Sequence, residues 1–150
     1  MRSMPAWTVS DLMEGERAIL GAVRLWFRMG TGRGLPGIRT AIRGVGAPDE
    51  VLLPLFALLG VLASDAARRP RILGPGDPAV GEDEAALLEA LGAIQHGDED
   101  AAATGFDRWL PLVALCVAMA SARETGRILA AAGVFLPDRA ARMVPLMAAE

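Results

Sequence analysis

One histidine, one cysteine and fifteen arginines are the side chains on which any chemistry in this chain has to rest, for it holds no lysine and no tyrosine. Without lysine there is no phosphate-loop lysine, no Schiff base and no lysine general base. A single Cys and a single His cannot supply the four ligands of a structural zinc site, and one Cys cannot form a Cys-x-x-Cys redox pair. A di-iron carboxylate bundle needs a Glu three residues before a His; position 93, three before His96, is Ala. His96 has no nucleophile visible in the sequence to serve. The sequence therefore predicts no catalytic residue, no metal and no cofactor.

The polar features that remain have plain structural readings. His96 is followed by Asp98, Glu99 and Asp100, a set that can hold a metal, yet a histidine at a helix C-terminus also suits the helix dipole, and that is the role expected here. Cys116 lies in the most apolar stretch of the chain and is expected to be a buried, inert core thiol. Gly30-x-Gly-x-Gly34, with Gly37, has the look of a phosphate loop. That signature follows a strand, and here an amphipathic helix precedes it, so a helix stop and hinge is predicted. Arg68, Arg69 and Arg71, at the predicted end of the central helix, are candidates with Arg39 and Arg43 for contact with an anion or an acidic partner. Arginines also simply suit helix C-termini.

The elements that must position these groups are helices. Apolar residues make up 53% of the 150 residues, with a mean hydropathy of +0.35. Much of that is Ala and Leu, which favour helix, while strand-forming β-branched and aromatic residues are few. Two stretches dominate: Leu53-Pro-Leu-Phe-Ala-Leu-Leu-Gly-Val-Leu-Ala-Ser64 and its echo Leu110-Pro-Leu-Val-Ala-Leu-Cys-Val-Ala-Met-Ala-Ser121. They are expected to pack together as the core, with everything else wrapped around them.

A first helix is expected from an N-cap at Ser10 to about Met29, with Leu12, Ile19, Leu20, Val23, Trp26 and Phe27 inward and Arg17, Arg24 and Arg28 on another face. A short helix over 35–45 buries Ile38 and Ile42. The central helix opens at Pro48 and Asp49, or nearer Leu52 if Pro54 is to lie in its first turn, and ends near Arg69. Residues 74–81, rich in Gly and Pro, read as a mobile loop, and residues 1–9 as a loose arm with Trp7 as an anchor. A third helix begins at Glu82 with Leu87, Leu88, Leu91 and Ile94 as its stripe, and 98–100 reads as a solvated turn. The fourth runs from about Asp107 to Ala132, carrying a ridge of small residues, Ala114, Ala118, Ala122, Gly126 and Ala130, that lets a neighbour approach closely. Pro137 and Asp138 start a last helix, interrupted at Pro145. The fold class is thus an all-α, single-domain bundle of four principal helices plus one or two short ones. A resemblance between Glu16-Arg-Ala-Ile-Leu-Gly-Ala22 and Glu84-Ala-Ala-Leu-Leu-Glu-Ala90 admits two repeated helical hairpins, as does simple bias toward Ala and Leu.

Charge and hydropathy narrow the partners. The longest uncharged runs, 51–64 and 109–122, are 14 residues each, too short to span a bilayer and typical of core helices. No apolar leader segment is visible at the N-terminus, and the single cysteine fits a reducing compartment, so a cytoplasmic protein is expected, with contact at a membrane surface as a less favoured reading. Residues 1–75 carry ten Arg against six acids and residues 76–150 five Arg against twelve acids. Such asymmetry suits pairing between halves or between copies, and is not the footprint of a nucleic-acid binder. The layout is similar to that of small helical domains of bacteria, without a motif that names a family. Two functions are expected: a non-catalytic protein acting on a protein partner or on itself, marked by an exposed apolar patch on a helix face, or a small-molecule binder with a cavity between helices and Arg at its mouth.

Overall fold

The computed structural model describes residues 7–139, and over them the chain is an all-α bundle. Five α-helices follow in order: α1 (Glu14–Gly44), α2 (Leu52–Ser64), α3 (Glu82–Gln95), α4 (Glu99–Asp107) and α5 (Leu112–Ala131). Single 3₁₀ turns precede α1 at Val9–Asp11 and α2 at Asp49–Val51. An isolated antiparallel bridge joins Thr8 to Ala79.

The first two expected helices are two arms of one. α1 is broken at Gly30, where φ 78 and ψ 179 leave the helical region, and a conformation of that kind is essentially reserved for glycine. Helix resumes at once through the Gly-rich stretch rather than after it. The second arm turns back across Leu25, where a Cβ on Gly34 would stand 3.3 Å from the Leu25 carbonyl oxygen and one on Gly37 3.0 Å from its Cδ1. Ile38 and Ile42 are buried as the sequence indicates. Ser10 caps nothing. Thr8 instead opens the first turn, its backbone N–H donating to Asp11 Oδ2 at 2.9 Å, and α1 proper begins after Met13.

α2 starts at Leu52, which puts Pro54 in the first turn where its missing N–H costs nothing. It stops at Ser64, short of Arg69, because the backbone N–H groups of Ala67 and Arg68 turn away to the Trp109 carbonyl. α5 begins only after Pro111, and the stretch read as a solvated turn at 98–100 is the start of α4, with the Asp98 carboxylate accepting from Ala101 N at 3.1 Å. The last helix expected beyond Pro137 falls almost wholly outside the described residues.

α2 and α5 do pack on each other, more extensively than any other pair. They run antiparallel: the chain leaving α2 bonds to Trp109, just ahead of α5, and the 3₁₀ turn before α2 lies against α5 with Glu50 near Arg127. They are not the centre, however. That place goes to α3, which from Asp83 to Ile94 is buried at every position but Glu89 and packs on α1, α4 and α5. The small ridge of α5 serves as expected over Ala114, Ala118, Ala122 and Gly126, all buried, with Gly126 against the stem of Gln95. No helix among the described residues is long and apolar enough to cross a membrane.

Candidate functional site

The five arginines picked out by sequence form two groups at opposite ends of α2, a helix of 13 residues and so about 20 Å long. Ahead of it, Arg43 grips Asp49 through Nη2 and Nε at 2.7 and 3.1 Å, and Arg39 Nε stands 3.5 Å from the same carboxylate. The Arg43 hydrogen bond holds the Asp49 carboxyl below its usual range. Beyond α2, Arg68 makes a two-pronged contact with Asp83 at 3.0 and 3.3 Å, and the Arg71 backbone N–H reaches the same carboxylate at 2.7 Å. Burial works to raise the Asp83 carboxyl; Arg68 and the Arg71 N–H outweigh it, and the group sits below its ordinary value. Arg69 lies over the Phe27 ring, 5.5 Å from its centroid. Four of the five are therefore engaged within the chain, and only the Arg71 guanidinium shows no partner among the described residues.

His96 and its acids separate in the same way. The His96 Nε2 lies 2.8 Å from the Leu136 carbonyl oxygen, which can only accept, so Nε2 carries the proton. Asp98 caps α4 and Glu99 pairs with Arg123 at 2.8 Å. No three His, Cys, Asp or Glu side chains among the described residues gather as a metal-binding group.

Two buried ion pairs escaped the sequence reading. Arg24, expected on a different face from the apolar stripe, is 3% exposed, and its partner Glu84 is fully buried. Arg24 Nε and Nη2 donate to the two Glu84 oxygens at 2.8 Å each, and the Leu73 and Gly81 N–H groups complete the carboxylate's shell at 3.0 and 2.9 Å. The rest of the guanidinium bonds the carbonyls of Asp77 and Ala79, fastening residues 77–79 onto α1. The second pair is Glu16 with Arg139, at 2.6 and 2.8 Å, and Arg139 also covers the Trp7 ring, 4.4 Å from its centroid. Trp7 is thereby anchored as expected. Periodicity carried a signal for both acids: Glu84 shares a stripe with Leu87, Leu88 and Leu91, and Glu16 with Ile19, Leu20 and Val23.

One face that the rest of the described chain leaves uncovered is apolar. Cys116, expected in the core, is exposed. It lies on an outward stripe of α5 with Leu112 (74% exposed), Val113 (79%), Val117 and Ala120, positions that recur at helical spacing. α2 adds Leu53, 80% exposed, with Ala57. The error has a physical cause. α5 is apolar nearly all round, so its hydropathy cannot say which side faces inward; the small ridge does, and Cys116 lies two positions off it. Charges rim the stripe in compensated pairs, Arg123 with Glu99 and Arg127 with Glu124. None of the three tryptophans is exposed. Compared with protein-family models, with curated proteins and with solved structures, this chain finds no match in any of the three.

Proposed function

We propose that this chain is a non-catalytic cytoplasmic protein that acts by pairing with a second copy of itself through the outer surface of α2 and α5. The observation that carries the reading is the outward stripe Leu112, Val113, Cys116 and Val117, with Leu53 on α2. Isolated exposed leucines are ordinary, but four exposed apolar residues clustered on one helix face mark an interaction site, and Leu53 lies toward the charged end of that face.

Three features favour a second copy as the occupant. A two-fold interface sets one surface against itself, so a face of uniform charge repels its own copy. This one is uncharged along its middle and locally neutral at its rim, the arrangement of an apolar interface core inside a polar border. The size also suits: α5 has 20 residues and so runs about 30 Å, and with α2 beside it the pair spans about 20 Å across. That approaches the scale of the about 800 Å² per partner that a stable specific pair buries. Finally, Cys116, Ala120 and Ala57 are small, which lets a facing helix come close.

Sedimentation and native mass spectrometry of the full chain test this directly. The wild type is expected to be dimeric at low micromolar concentration. Val113→Glu is expected to be monomeric with an unchanged circular dichroism spectrum, its dissociation constant raised by about 100-fold, since the dimer would bury an unpaired carboxylate. A wild type that stays monomeric at tens of micromolar, or a Val113→Glu dimer as tight as wild type, sinks the proposal.

A further inference from the structure

A second surface, sharing no residue with α2 or α5, lies between the first arm of α1 and the turn at residues 74–77. It is a groove of about 310 Å³, about ten water volumes. Leu20 and Leu25 line it from the helix, and Val9, Pro75 and Pro78 from the facing segment.

Gly21 is among the lining residues, and a Cβ added there would find no atom within 4 Å. A glycine inside a helix forfeits stability relative to alanine, and no neighbouring atom of this chain uses the space it leaves. The opposite lip, in the stretch whose composition reads as a mobile loop, is tied down by several bonds. Pro75 fixes one torsion, Gly76 takes φ +88, the Asp77 N–H closes the turn on the Gly74 carbonyl at 3.1 Å, and Arg24 holds the Asp77 and Ala79 carbonyls from below. A ligand entering a preformed groove has little ordering to offset.

Charge indicates which end of a ligand goes where. Arg24 faces two carboxylates, Glu84 in a two-pronged pair and Asp77 at longer range. The Asp77 carboxylate accepts from the Ala79 N–H at 2.9 Å and faces the Arg24 charge. Arg17, at the mouth, is the group with charge to spare: it donates to the Leu12 carbonyl at 2.6 Å and makes no ion pair among the described residues. We infer that this groove binds a small amphipathic monoanion of about ten non-hydrogen atoms, its apolar body over Gly21 between Leu20, Leu25 and the two prolines, its anionic head on Arg17.

Three eight-carbon probes that share a body and differ in head group test this on the full-length protein by titration calorimetry: octanoate, octanol and octylamine. Octanoate is expected to saturate with a dissociation constant on the order of 0.1 mM, with octanol and octylamine each weaker by about tenfold. Gly21→Leu, which gains helix propensity and meets open space, is expected to keep its melting temperature and lose octanoate binding by at least about tenfold. Arg17→Gln is expected to bring octanoate down to the level of octanol. The inference is overturned if no probe saturates at millimolar concentration, if octylamine binds tightest, or if Gly21→Leu binds octanoate as the wild type does.

Discussion

At the scale of single residues, the Arg24–Glu84 pair shows a charge sequestered without being stranded. Every oxygen of Glu84 is matched, so removing one partner is worse than removing both. Arg24→Met is expected to cost about 3–5 kcal/mol, and the double replacement with Glu84→Leu to recover most of that; thermal or urea melts of the three proteins measure it. Asp83 adds a pH signature. Its folded value lies below the unfolded one, about 3.9, so the stabilisation from Arg68 and Arg71 is fully present above about pH 4 and fades as pH falls through the folded value. Asp83→Asn is therefore expected to be less stable than wild type by about 1–3 kcal/mol at pH 7, with the gap closing as pH falls through the lowered folded value. Cys116 is expected to react with a disulfide reagent in the monomeric Val113→Glu protein; a thiol that reacts there only on unfolding contradicts its exposed place. These residues were partly legible. Glu84 and Glu16 fall on apolar stripes that mark them as inward, but a carboxylate is normally solvated, and the partners that make burial tolerable lie 60 and 123 positions away.

At the scale of elements, a glycine marks the break in α1 at Gly30 and an aspartate cap, Asp98, marks the start of α4. The break at Gly30 was visible because Gly-x-Gly-x-Gly disfavours helix. Its immediate restart was not, since what holds the second arm is tertiary: Gly34 and Gly37 let the chain lie close on Leu25. Two substitutions separate these causes. Gly30→Ala, forced into φ 78, is expected to lose about 1–3 kcal/mol. Gly32→Ala, helical and facing open space, is expected to gain about 0.4–1 kcal/mol. Chemical denaturation of the pair checks both signs. α4 was missed for another reason. Asp98-Glu-Asp100 looks like a solvated charge run, but an aspartate N-cap followed by two acids in the first turn is also how a helix begins. The nine-residue length of α4 left too little periodicity to choose.

At the scale of the whole molecule, the all-α bundle and the α2–α5 pairing follow from composition and spacing, while the division into helices and the identity of the central one do not. The two oiliest stretches were expected to be sheltered by the rest of the chain; instead α3 takes the middle and α2 and α5 keep one side each toward solvent. Hydropathy says that a surface wants covering and leaves open whether the same chain or another one covers it. Pairing of copies makes a further mass-action prediction: the melting temperature of the wild type rises with protein concentration, and that of Val113→Glu does not. A wild-type melt that is independent of concentration over a hundredfold range, about 1 to 100 µM, counts against the dimer.

The contact of Glu16 with Arg139 also has a meaning in time. A ribosome makes Glu16 early and its partner 123 residues later. Until Arg139 has emerged, the Glu16 carboxylate at the root of α1 has one N–H, that of Met13, to satisfy it, so the α1 root cannot settle into its final packing during most of synthesis. Arg139 is thus the latch on the first helix. A nascent chain stalled before Arg139 is expected to stay protease-sensitive around α1 however well its intervening helices have formed.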